Sequence, residues 1–254
     1  MAGKLVSLST LRVAPCRDCN LQAKCLPNGL SGDETAEFER IVDSRRVLKR
    51  GECLYKNGDR FRALHVIRSG LVKTYTLSPN GNEHIAGFHL PGHVMGLNAI
   101  ATKVHTDAAR ILDTTSLCRI PYDALDRLSG RIPVLRQQLV RLLSRRIAQE
   151  QSMLRELAQL PAEQRVAAFF HRTAQSFAEL GFSPKQFGFR VPNVDLAAYL
   201  GLAVETVSRA LSHLRNEGIL NAQRASVEVH DMERLEMYAR AGECRRRRLR
   251  RDGS

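Results

Sequence analysis

The chain has 254 residues and a hydrophobic content of 43%, enough for a sizeable core in one large domain or two smaller ones. No apolar run approaches the ~20 residues that cross a bilayer, and the N-terminus lacks the apolar stretch of a signal peptide. The formal net charge of +13 favours a polyanionic partner, most often nucleic acid. These features predict a cytoplasmic protein with no membrane partner, in which thiols stay reduced.

The first motif is the run "PCRDCNLQAKC", which places Cys16, Cys19 and Cys25 in a C-x₂-C-x₅-C pattern. In a reducing compartment such a cluster favours metal ligands or a redox sensor over disulfides. Three thiols fall one short of the four ligands of most metal sites. Structural zinc sites often pair two C-x₂-C motifs, and one is present here. We assign residues 1–30 to an N-terminal segment that carries these three cysteines. The cysteine spacing does not identify the fourth ligand.

Residues 31–130 are predicted to form a β-rich sensor domain. The run "ALHVIRSGLVKTYTL" has high β-propensity and is expected to break at Ser69-Gly70, and "SPNGN" at residues 78–82 is a predicted turn. Glycine-bearing turns recur about every ten residues. Short strands at that spacing predict an antiparallel β-roll or jelly roll.

Residues 131–160 are predicted to form one long helix, because 28 residues from Pro133 contain no glycine and no further proline. A seam with alternating steps of three and four residues is typical of a coiled coil between two copies of the chain. A second apolar stripe, which includes Leu135 and Leu139, is expected to pack on the β domain. The seam consists of Val140, Leu143, Ile147, Glu150, Leu154 and Leu157.

Glu150 is the one charged member of that seam. In a symmetric dimer two carboxylates would face each other, and like charges repel more strongly as they are buried. This repulsion suits a protein that dimerises only under certain conditions, because it opposes the dimer at other times. The alternative is that Glu150 pairs with a neighbour such as Arg146.

Residues 161–240 are predicted to form a winged helix-turn-helix, with two short amphipathic helices around Gly201 and "AQRASVEV" as a small wing. Glu205, Ser208 and Arg209 share one outward face near the start of the second helix, where such a helix enters the major groove. Arginine suits guanine, and glutamate can accept from cytosine. The basic tail, 241–254, is expected to add nonspecific attraction to DNA or to acidic lipid.

The motifs "CRDC", "GFHLPG", "IRSG", "RLLS" and "YLGLAVETVSRAL", in this order, resemble the CRP/FNR superfamily, and within it the FNR-type oxygen-sensing iron–sulfur regulators. The resemblance extends from about Cys16 to Val229. It implies an α+β fold with an N-terminal antiparallel β-roll, a long dimerisation helix and a C-terminal winged helix-turn-helix. It also implies a transcription regulator, not an enzyme.

The resemblance completes the thiol set with Cys118, so that Cys16, Cys19, Cys25 and Cys118 would bind a [4Fe–4S] cluster. Cys53 and Cys244 fall outside the pattern, and Cys53 is expected to be a small buried residue. A thiol- or zinc-based switch with the same DNA target is the alternative.

The resemblance further implies that a homodimer binds a palindrome close to TTGAT-N₄-ATCAA in double-stranded DNA. RNA polymerase is an expected partner, with the "SPNGN" turn as a candidate contact. Cyclic nucleotide is not expected to be the trigger, because Asp107 in "HTDAAR" stands near the place where related sites carry an Arg-Ser pair for the phosphate.

Overall fold

The fold is taken from a computed structural model, which describes residues 15–223 and 225–240. Two compact units divide the chain, one ending at Ala148 and the other beginning at Gln149. The basic tail and Cys244 lie outside the described residues. Within those residues, no helix is both long and apolar enough to cross a membrane.

The first unit is built on an antiparallel sheet in which the neighbouring strands run β1-β6-β3-β4. The short strands β2 and β5 pair with β6 and β3, respectively. This arrangement confirms the predicted antiparallel β-roll. The strands are β1 Ser44–Leu48, β2 Cys53–Tyr55, β3 Ala63–Leu77, β4 Glu83–His89, β5 Val94–Met95 and β6 Ala108–Pro121.

The predicted break at Ser69-Gly70 is wrong, because β3 runs through it as one strand of 15 residues. The pairing of β3 with β6 instead shifts register between Ile67 and Ser69 and again around Leu71. Gly70 has a φ of 95°. A Cβ added there would lie 2.3 Å from Thr115 Oγ1, so the two strands approach closely through a bulge that glycine alone accommodates.

Three helices pack with this sheet: α1 Gly32–Ile41, α2 Tyr122–Arg131 and α3 Pro133–Gln159. A capping box between Ser31 and Glu34 starts α1. Leu135 is fully buried at the start of α3, and Leu139 and Leu142 pack partly buried against the same core. The predicted long helix and its β-facing stripe are therefore confirmed, although the separate helix α2 was not anticipated.

The second unit contains α4 Ala162–Glu179, α5 Asn193–Leu200, α6 Val204–Asn216 and a helix α7 over residues 232–240. Its small sheet has the order β7-β9-β8, formed by Gln186–Gly188, Ser226–Val229 and Leu220–Ala222. Gly201 ends α5 in the left-handed region with a φ of 62°, which lets α5 and α6 turn tightly. The predicted winged helix-turn-helix is confirmed.

Candidate metal centre and nucleic-acid interface

The N-terminal cysteines lie on a chain of turns that repeats every three residues. Cys19 N donates to Cys16 O at 3.3 Å, Gln22 N to Cys19 O at 2.9 Å, and Cys25 N to Gln22 O at 3.2 Å. The backbone is extended at Cys19 and at Cys25, so the segment is a series of separate turns, and the cysteine spacing alone does not set the direction of the thiols.

Cys118 lies near the three N-terminal cysteines, but it belongs to the sheet. It lies on β6, where it pairs with Val66 of β3. Helix α2 separates Cys118 from the long helix α3. The strand β6 ends at Pro121, and α2 inserts a ten-residue helix before α3 begins.

The four thiols line one recess. Apolar side chains form most of the remaining wall, together with one buried cation, Arg68. The other lining residues are Leu21, Gln22, Pro27, Phe38, Val42, Val66 and Ile120.

Burial raises the pKa of the Cys25 thiol far above its ordinary value, and the neighbouring Cys118, Cys16 and Cys19 add to the rise. The pKa rises because an apolar wall disfavours the charged thiolate form of Cys25 and because neighbouring thiolates would repel it. A bound cation reverses this preference, since metal ligation deprotonates thiols outright. The donor set therefore suits a soft, thiolate-binding metal group.

No three Cys, His, Asp or Glu side chains of the described chain are placed to hold a single metal ion. That the four cysteines of the recess hold an iron–sulfur cluster stays a prediction.

Cys53 is exposed, so its expected burial is wrong. It lies on the short strand β2, where Cys53 pairs with Arg110 and Tyr55 pairs with Ala109 of β6. This register shift breaks the two-residue alternation, so Tyr55 is buried while Cys53 is exposed. Cys53 does not line the thiol recess.

The thiol segment touches the long helix directly. A Cβ added to Gly29 would lie 3.7 Å from both Val134 Cγ1 and Gln138 Nε2 of α3. Cys16, Cys25 and Cys118 pack against the same hydrophobic core that buries Leu135. The recess and the first turns of α3 are therefore parts of one packed cluster.

The predicted seam of α3 faces away from that core. Val140 and Ile147 are each 58% exposed and Leu154 is 66% exposed, while Leu143 and Glu150 are also exposed and Leu157 is half-buried. A row of large apolar side chains in water suits a face that another chain covers. Its use as a dimer interface stays a prediction.

Helix α6 buries Val207, Ala210 and Leu214 and leaves Glu205, Ser208 and Arg209 exposed. Arg209 Nη2 donates to Thr206 Oγ1 at 3.5 Å, one turn earlier on the helix. Ala203 is the N-cap and makes no side-chain cap bond. The three candidate base-reading residues thus share one free face at the N-terminal end of the helix.

The interior of the β-roll near Asp107 is filled by rings. Tyr55 stacks on His105 with ring centroids 3.8 Å apart, and Phe61 meets His105 edge-on at 5.7 Å. Burial raises the pKa of Asp107, against the lowering effect of its hydrogen bond with Asn98. A buried carboxyl among packed rings is a poor neighbour for a phosphate.

A β-roll unit, a long helix and a winged helix-turn-helix define the class of protein: a DNA-binding transcription regulator. The model of the cyclic nucleotide-binding domain matches residues 45–131, and that of the Crp-like helix-turn-helix domain matches residues 164–238. The chain belongs to the CRP/FNR superfamily, as its motifs predict, and it is a transcription regulator, not an enzyme.

Named relatives agree with this assignment. The fumarate and nitrate reduction regulatory protein of Yersinia pestis is 38% identical over 224 residues, which cover 88% of this chain and 90% of the relative. The transcriptional activator protein anr of Pseudomonas aeruginosa is 39% identical over 237 residues, with coverages of 93% and 96%. The structure of FixK2 from Bradyrhizobium japonicum matches with a TM-score of 0.69 and 26% identity, covering 76% of this chain and 95% of that one.

Proposed function

We propose that this chain is an oxygen-responsive transcription regulator that holds a [4Fe–4S] cluster on Cys16, Cys19, Cys25 and Cys118. The observation that carries the proposal is that these four thiols line one recess. Relatives named for fumarate and nitrate reduction and for anaerobic regulation support a link to oxygen. When bound, the cluster would supply a centre that reacts with oxygen and is lost.

The long helix is the route by which the state of the thiols would reach DNA. Gly29 lies close to Val134 and Gln138 of α3. Leu135 is buried in the hydrophobic core against which the cysteines of the recess pack. When a bound cluster holds the four thiols together, this packing stays in place. When the cluster is lost and the thiols are released, the packing loosens. The seam of α3 would then pair in a homodimer under one condition and separate under the other, a two-state element biased at a distant site.

We further propose that the dimer binds a palindrome close to TTGAT-N₄-ATCAA, whose half-sites lie about one helical turn apart. The "SPNGN" turn between β3 and β4 is the proposed contact with RNA polymerase. Cyclic nucleotide is not the proposed trigger, and the packing of Tyr55 and His105 beside Asp107 supports this.

Anaerobic reconstitution with ferrous iron and sulfide tests the proposal. We expect about four irons and four sulfides per chain, a brown protein absorbing at about 400 nm, and loss of both colour and specific DNA binding in air. A thiol or zinc switch with the same DNA target is the competing proposal. It predicts a colourless protein, with zinc and no sulfide in the zinc case.

The base-reading assignment makes a separate prediction. Arg209→Ala should cost ~1–3 kcal/mol per half-site and relax the preference at the guanine it reads, because a bidentate contact to O6 and N7 is lost. Affinity for the matched palindrome and for single-base variants, measured at two salt concentrations, checks this.

Arg215→Ala is the matched control, since Arg215 is exposed in the last turn of the same helix. It should weaken binding to all duplexes alike, as loss of a general electrostatic contact does. An equal loss of affinity on every duplex for Arg209→Ala would show that this arginine touches phosphate alone.

A further inference from the structure

Arg165 of α4 bridges the ends of two other helices. Its Nε donates to the backbone oxygen of Leu160 at 2.8 Å, and its Nη1 donates to the backbone oxygen of Leu200 at 3.2 Å. Leu160 directly follows the last residue of α3, and Leu200 is the last residue of α5. The last turns of α3, from Gln149 onward, belong to the same compact unit as α4 and α5. One side chain therefore joins the end of the long helix to the helix-turn-helix.

The chemistry of the two helix ends explains why a cation lies between them. The last four carbonyl groups of a helix have no partner within that helix, and its C-terminal end carries a partial negative charge. Two such ends repel each other, and a guanidinium offsets both charges while it donates to both carbonyl groups. Because the guanidinium is planar and rigid, groups bound to its different nitrogens are held at a fixed separation.

The bridge lies against the turn that leads into α6. Gly201 follows Leu200 in the left-handed region, and a Cβ added to it would lie 3.9 Å from Arg165 Nη1. A second arginine of α4, Arg172, forms an ion pair with Glu156 of α3. Helix α4 thus holds the last turns of α3, and Arg165 holds the turn before α6 against them.

We infer that Arg165 sets the spacing of the two half-sites that the dimer reads. This inference rests on the proposed homodimer and its palindrome. In a symmetric dimer that pairs through α3, the distance between the two α6 helices depends on how each is held against its own α3. Each base pair added between the half-sites moves them apart by about 3.4 Å and rotates one against the other by about 35°. A rigid bridge makes the dimer select one spacer length, whereas a flexible joint accepts several.

The test measures the affinity of the reconstituted wild-type chain, Arg165→Met and Arg165→Lys for palindromes with spacers of three, four and five base pairs. We expect the wild-type chain to prefer four base pairs by about tenfold or more, and each variant to bind the three duplexes within about threefold of one another. Methionine removes the bridge. Lysine keeps the charge, so the chain should fold, but its flexible stem does not hold two carbonyl groups at a fixed separation. The preference among single-base variants of a half-site should stay as in wild type, because α6 is unchanged.

Arg234→Gln is the matched control, because Arg234 of α7 also bridges a helix end. It donates to the backbone oxygen and to the carboxylate of Glu217, the C-cap of α6, both at 2.9 Å. This bridge joins α7 to α6 rather than to α3. Its loss should lower the unfolding temperature and leave the preference for four base pairs in place.

A folded Arg165 variant that keeps the wild-type spacer preference overturns the role of Arg165 and leaves the dimer proposal intact. An equal loss of affinity on every spacer and every single-base variant overturns it too, because a loss of stability alone has that effect. If the wild-type chain binds a single half-site as tightly as the palindrome, the proposed dimer falls, and this inference falls with it.

Discussion

Glu150→Leu should convert the cluster-free protein from monomer to dimer. Glu150 is exposed in the single chain and stands in a row with Ile147 and Leu154. In a parallel pairing of two α3 helices it would face its own copy, so the substitution removes a like-charge repulsion and adds apolar contact. We expect dimerisation to strengthen at least about tenfold, the scale of one close like-charge pair. Sedimentation of the protein purified in air measures this, and specific DNA binding should persist in air.

Gln149→Leu is the matched control, because it adds the same side chain to the exposed neighbouring position, away from the seam. It should stay monomeric in air. A monomeric Glu150→Leu variant would show that the carboxylate lies in solvent or pairs within its own helix, and the conditional role of Glu150 would be abandoned.

Cys118→Ser should abolish the iron–sulfur cluster. The serine leaves three thiolates in the recess, and one iron of a four-iron cluster then lacks its thiolate ligand. Iron and sulfide after anaerobic reconstitution should fall from about four per chain to background, with the absorption at about 400 nm lost. Serine replacements of Cys16, Cys19 and Cys25 should behave in the same way.

Cys53→Ser provides the control for Cys118→Ser. Cys53 is exposed and lies outside the recess, so its replacement should leave the iron content unchanged. Full iron and sulfide in Cys118→Ser would remove this residue from the proposed ligand set.

The sequence by itself determined the features that depend on short spacings. The C-x₂-C-x₅-C spacing places three thiols within one short segment of turns. The period of α3 separates the buried stripe of Leu135 from the exposed seam, and Gly201 places the sharp turn between α5 and α6. Each feature is local, because neighbouring residues specify it through backbone geometry alone.

The tertiary structure decided what depends on pairing between distant strands. The register of β3 with β6 sets Cys118 beside Val66, and both residues line the recess. The outward side of Cys53 likewise follows from the pairing of β2 with β6, and α2 intervenes between Cys118 and α3. A shift of one residue in register reverses which side chains face inward, and a single strand read alone does not specify its partner's register.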